Sequence, residues 1–361
     1  MARVTIKDVA NRAGVSTATV SHVMNGTRFV SDETRRRVRD AVAVLNYQTN
    51  AIARGLVTHV THKIGLVISE FTNPFFMAAA RGIEDEILDR QYNIVISNTD
   101  EDPEREEANL RLLSAQQIDG LIIAPTGVPC ASLLALAESG VPIVQLDRSS
   151  PGLAAPLVGV NNEEGAYQAT RYLIGLGHRR IACLIDLDII STQKERLRGW
   201  AQAMREAGLR ADDDLVMRAD PRFYGVAPGE TGSFSLIGPS AKRQAMPSAY
   251  EALQRLLRSP QRPSAIFVAN NQLTLGTLYA FTTCGLRCPE DISLVSFDDH
   301  DWAPLFSPPL TVVRQPTYEL GQVAARLLMQ MINGEPVEPP APLLVELVIR
   351  ASCGAPPAGI A

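Results

Sequence analysis

From Lys63 onward the chain repeats one pattern: a short run of apolar residues, then a longer amphipathic stretch of about 10 to 18 residues. The runs are IGLVIS, YNIVIS, GLIIAP, PIVQLD, LVGV, RIACLI, AIFVA and DISLVSF. Most are apolar throughout rather than at alternate positions, which suits strands covered on both faces. Parallel neighbours need a long crossover between them, and a helix is the usual one. The stretches between carry helical stripes: Phe76, Ala80, Ile83 and Ile87 share one face, and Leu320, Val323, Leu327 and Met331 share another. The pattern predicts a doubly wound α/β body of parallel strands.

The first sixty residues differ in charge as well as in pattern. Residues 1–63 hold ten Lys or Arg against four Asp or Glu, a net of +6, which leaves −11 for the remainder of a chain whose total is −5. A basic head on an acidic body directs the head toward a polyanion.

That head reads as three short helices. Ile6, Val9, Ala10 and Ala13 make an inward stripe, Gly14 stops the first helix, and Val15 plugs the space before the second. Ser16 is placed to cap the second helix, on which Val20, Val23 and Met24 are expected inward and Thr17, Ala18, Ser21 and His22 outward. Small polar residues there let a helix lie deep in a major groove. Ser31, Asp32 and Glu33 open a third helix whose Val38, Ala41, Val42 and Leu45 close a small core, the pattern of a helix-turn-helix domain.

The segments VSTATVSHVMN, TRFVSDETR and LNYQTNAIARGL closely resemble the headpiece of the lactose-repressor and galactose-repressor family of bacterial regulators, and the helix-turn-helix wording is nearest to its purine-repressor branch. The match runs without a gap to Leu56, and the rest of the chain follows the family's layout. The resemblance implies a DNA-binding transcriptional regulator with headpiece 1–48, hinge 49–62 with a hinge helix at 50–57, body 63–355 and tail 356–361. It implies Thr17, Ala18 and His22 as groove readers, with Thr5, Ser16, Thr19, Ser21, Asn25 and Arg28 on the backbone or neighbouring bases. Leu56 is the hinge leucine that would wedge a base step in the minor groove.

For the body the resemblance implies two halves like the periplasmic sugar-binding proteins, with a small-molecule effector, a sugar or sugar acid, between them. One subdomain is expected at about 63–161 with 293–324 and the other at 162–292 with 325–355. Pockets in open parallel sheets form at the carboxyl ends of the strands. Those positions, with the family layout, nominate Asn73, Phe75, Phe76, Asp147, Arg148, Thr192, Arg196 and Asn271 for the effector, with one phenylalanine, Phe75, at the ligand and the other in the core. Many members carry Asp where Asn271 stands, and the purine-repressor branch has Arg where Ile190 stands, so a hypoxanthine-like ligand is not expected. Arg148 and Arg196 without that carboxylate suggest a comparatively positive cleft, which favours an anionic or oxygen-rich ligand such as a sugar acid. The Gly-, Pro- and Ser-rich stretch 218–247 reads as an extended surface loop, longer than relatives have there.

The alternative is a solute-binding protein of the periplasmic type without a DNA function, against which the basic head argues; other function classes find little purchase. There is no G-x-S-x-G, P-loop, H-E-x-x-H or strand-linked G-x-G-x-x-G, so neither an enzyme nor a cofactor is expected. The D-D-H-D cluster at 298–301 reads as a turn, not a metal site. Cys130, Cys183, Cys284, Cys288 and Cys353 show no C-x-x-C spacing and read as buried thiols. No run reaches the roughly 18 apolar residues of a membrane span, and the first residues lack a signal-peptide core, so a cytoplasmic protein is expected. The tail ASCGAPPAGIA has no heptad, and a homodimer reading a near-palindromic operator follows.

Overall fold

The computed structural model describes residues 4–25, 28–47, 60–220, 247–258 and 262–357. Two compact units result, Met1–Thr61 and His62–Ala361. Most of the hinge, including Leu56, and most of the long loop lie outside the described residues.

The smaller unit holds helices α1 (Ile6–Ala13), α2 (Thr17–Asn25) and α3 (Asp32–Leu45). Gly14 ends α1 at φ 65°, where its N–H reaches back to the Ala10 and Asn11 carbonyls. Ser16 Oγ accepts the Thr19 N–H at 3.1 Å, and Ser31 Oγ accepts that of Thr34 at 3.4 Å. Val9, Ala10, Ala13, Val20, Val38 and Ala41 are the buried centre. Met24, expected inward, is 36% exposed near the end of α2 and is not part of this core.

The larger unit contains two sheets. The first has order β2-β1-β3-β4-β5, from β1 (Lys63–Ile68), β2 (Asn93–Asn98), β3 (Gly120–Ile123), β4 (Ile143–Leu146) and β5 (Leu157–Val158), all parallel. Between them run α4 (Pro74–Ile87), α5 (Pro103–Ala115) and α6 (Ala131–Glu138). After α7 (Asn162–Gly175) the second sheet starts with β6 (Ile181–Ile185), followed by α8 (Ser191–Glu206), β7 (Val216–Arg218), α9 (Ala249–Leu257), β8 (Ala265–Val268), α10 (Asn271–Cys284), β9 (Ser293–Phe297) and β10 (Thr311–Arg314). The chain then returns to the first sheet as α11 (Thr317–Ile332) and closes with β11 (Glu346–Val348), antiparallel to β10 in a sheet of order β11-β10-β9-β8-β6-β7.

This path corrects the expected allocation after residue 293. β9 and β10 continue the second sheet beside β8, while Leu320, Ala324 and Leu328 of α11 pack in the core of the first. An apolar run announces a strand but not the sheet that pairs with it. Three strands are not anticipated, β7, β10 and β11, of three or four residues each. β2 is an edge strand, partly exposed rather than covered on both faces. Of the cysteines, Cys130 and Cys183 are buried, whereas Cys284 is exposed at the end of α10.

Helix pairs cross at glycines. A Cβ on Gly82 of α4 would sit 2.1 Å from the Tyr318 carbonyl, one on Gly321 of α11 would sit 2.0 Å from that of Ala79, and one on Gly199 of α8 would sit 2.0 Å from that of Glu163. These backbones touch, and only hydrogen fits between them.

Candidate effector cleft and DNA-reading helix

At the carboxyl ends of the strands, loops from both sheets meet around a small polar cleft with about 50 Å³ of free space. Asn73, Phe75, Phe76, Asp147, Arg148, Thr192 and Arg196 all line it. Asn271 does not; its neighbours Asn270 and Gln272 do. Asn271 lies beside the cleft, where Nδ2 donates to Asn73 Oδ1 at 2.9 Å and to His300 Nε2 at 2.5 Å. Both phenylalanines reach the lining while packing edge-to-face at 5.1 Å in the core, so the expected division of labour between them does not hold.

Each side chain is placed by its own element. Asn73 caps α4 by accepting the Phe75 N–H at 3.0 Å, which turns Phe75 and Phe76 under the cleft. Arg148 follows β4 and bonds Glu101 at 2.7 Å, Ser69 at 3.2 Å and Asp147 at 3.4 Å. Burial works against its charge, but Glu101 and Asp147 outweigh this and hold the guanidinium above its usual range. Arg196 of α8 donates to Asn162 Oδ1 at 2.9 Å and the Ala269 carbonyl at 2.6 Å, with its guanidinium 3.7 Å from the Phe297 ring centroid. Burial lowers its pKa and raises that of Asp147.

The cleft is acidic, not positive. Glu70, Glu101, Asp147, Asp186 and Asp298 line it against the two arginines. Losing a carboxylate at Asn271 has no such effect when Asn271 points aside. Strand-end position alone would have nominated Glu70, Asp186, Asn270 and Asp298, each directly after an apolar run, whereas nothing local distinguishes Glu101, Gln193, Gln272 or Gln315. Asp147 at φ 67° and Asp298 at φ 77° adopt left-handed backbone unusual for a residue with a Cβ, a strain typical of functional sites. Across the cleft the halves touch through Asn271–Asn73, Gln272–Glu70, and the Ser149 N–H on Ser191 Oγ at 3.1 Å.

In the smaller unit Ser16, Thr17 and Ala18 are exposed, and Thr19, Ser21 and His22 are partly so. Thr5 is exposed and holds Asp8 through its N–H at 2.8 Å and hydroxyl at 2.7 Å, and Arg28 is exposed beyond α2, which ends at Asn25. Thr17, Ala18, Ser21 and His22 thus share a helix face with small or polar side chains. Asp299 and His300 of the D-D-H-D turn are engaged elsewhere: Arg350 and Arg314 hold Asp299 at 2.8 to 2.9 Å.

Residues 5–50 match the model of bacterial regulatory proteins of the lacI family, and residues 61–226 match that of periplasmic binding proteins and the sugar-binding domain of the LacI family. Residues 170–353 match a periplasmic binding protein-like domain. The chain belongs to the LacI family. It is a DNA-binding transcriptional regulator controlled by a small-molecule effector. The HTH-type transcriptional repressor PurR of Photobacterium profundum is 35% identical over 96% of this chain and 98% of its own. The ribose operon repressor of Escherichia coli K12 is 35% identical over 91% of this chain and 93% of its own. A crystal structure of the Lac repressor dimer bound to operator and the anti-inducer ONPF superposes with a TM-score of 0.79 at 29% identity, over 98% of this chain and all of that one. This family member thus carries its headpiece and its cleft in the two units described above.

Proposed function

We propose that this protein is a cytoplasmic, homodimeric repressor, not an enzyme, that reads its operator through Thr17, Ala18 and His22 and is governed by a neutral sugar. The supporting observation is the lining of the cleft. Five carboxylates and two arginines, with Asn73, Asn270, Gln272 and Gln315, supply acceptors and donors at many angles, while Phe75 and Phe76 offer apolar faces. A polyol with a donor and an acceptor on each carbon satisfies such a set; an anion would meet the excess of carboxylates. One relative is named for a ribose operon. Among the described residues no helix is long and apolar enough to cross a membrane.

Thr5, Ser16, Thr19, Ser21, Asn25 and Arg28 are assigned to the DNA backbone or neighbouring bases and Leu56 to the minor groove. The long loop from 218 to 247 is assigned no role. A two-fold dimer supports the reading because one headpiece makes few base contacts. The test is operator binding by the purified protein on fragments flanking its own gene, titrated with D-ribose, other neutral pentoses and hexoses, and the matching sugar acids. A palindrome bound in the nanomolar range and shifted by one neutral sugar is the expected result, and the direction of the shift distinguishes inducer from corepressor. A response to acids alone would overturn the ligand class.

A further inference from the structure

Beside the effector cleft lies a second, roomier cavity of about 340 Å³. Its walls are aromatic and acidic: Trp302, His300 and Phe75 with Asp298, Asp299 and Asp301. The His300 and Trp302 rings are 5.8 Å apart, and Phe306 fixes Trp302 from behind in an edge-to-face contact at 5.4 Å. Among the described residues no lysine or arginine lines the cavity. Asp299 is neutralised by Arg314 and Arg350. Asp298 bonds neutral donors, the Gln315 amide at 2.5 Å and the Asn271 N–H at 3.3 Å, and Asp301 is exposed with no cationic partner among the described residues.

We propose that this cavity is a binding site for a small organic ammonium ion, separate from the effector cleft. The quadrupole of an indole face attracts a cation, the effect is largest where water is partly excluded, and carboxylates within a few ångströms add to it. A polyol finds few donors here, and an anion meets the Asp301 carboxylate, while Asp298 is shared with Arg196 on the cleft side. Phe75, Asp298 and Gln315 form a wall common to both compartments, which makes the ammonium ion a neighbour of the effector.

Isothermal titration of the full-length protein with choline chloride tests the site, with 3,3-dimethyl-1-butanol as the uncharged molecule of the same shape. Saturable choline binding is expected, weakened roughly tenfold or more for the alcohol and for each of Asp301→Asn and Trp302→Leu. Asp301 is exposed, so its variant tests the idea even where Trp302→Leu folds poorly. Asp186→Asn reduces the charge of the effector cleft alone and is expected to leave choline binding intact. No saturable heat, equal binding of the alcohol, or binding lost with Asp186→Asn but kept with Asp301→Asn would overturn the assignment.

Discussion

Arg148 Nη1 stands 2.7 Å from Glu101 Oε1, and both side chains are nearly out of water. The two come from loops at one end of the first sheet, after β4 and after β2, strands that β1 and β3 separate, so the pair both ties those loops together and contributes to the charge of the cleft. Removing one member of such a pair strands a buried charge, which costs far more than the pair itself contributes. Glu101→Ala is expected to destabilise the larger unit by about 3 kcal/mol and to weaken effector binding, measured by denaturant unfolding and by titration. An unchanged unfolding midpoint would mean that Asp147 and Ser69 suffice for Arg148.

Glu106 in α5 is fully buried, where its Oε2 accepts the Thr126 N–H at 2.7 Å. Burial lifts its pKa to about 7 in spite of that bond. The folded protein therefore holds a proton there that the unfolded chain, with an ordinary glutamate, releases above about pH 4.5. More protons bound in the native state means that stability falls as pH rises from about 4.5 to about 7. Glu106→Gln mimics the protonated form. It is expected to flatten this part of the stability–pH curve and to raise stability at pH 8 by about 2 to 3 kcal/mol. A variant curve parallel to the wild type between pH 5 and 8 would refute the assignment.

Gly321 and Gly175 are expected to respond with opposite signs. Alanine is worth about 1 kcal/mol over glycine in a helix, and at Gly175 an added Cβ meets nothing within 4 Å. At Gly321 it lands 2.0 Å from the Ala79 carbonyl, so α4 and α11 must separate. Gly321→Ala should lose about 3 kcal/mol despite its better propensity, and Gly175→Ala should gain a few tenths to about 1 kcal/mol, read by thermal unfolding.

On α2, His22→Ala is expected to weaken operator binding by about 1 to 3 kcal/mol without altering the dependence on salt, because a base contact releases no counterions. Arg28→Ala should lower affinity for all sequences and reduce the salt slope by about one. The two variants are compared in parallel titrations at several salt concentrations; a changed salt slope for His22→Ala would reassign it to phosphate.

Local chemistry was enough for the elements and for much of the site. Gly14 and Ser16 delimit two helices because a left-handed residue and a hydroxyl act within a few residues of themselves. The apolar runs became strands for a similar reason, and strand ends pointed to Asn73, Asp147 and Arg148 without any knowledge of what lies opposite. Tertiary structure decided the rest. Only pairing in space assigned β9 and β10 to the second sheet and α11 to the first, since each run carries the same pattern whichever sheet accepts it. Only the fold turned Asn271 aside in favour of Asn270 and Gln272, and brought Glu101 to Arg148 across 47 residues of chain. The sign of the cleft follows from that convergence: charge in a site is a sum over residues distant in sequence, and no stretch of the chain contains the sum.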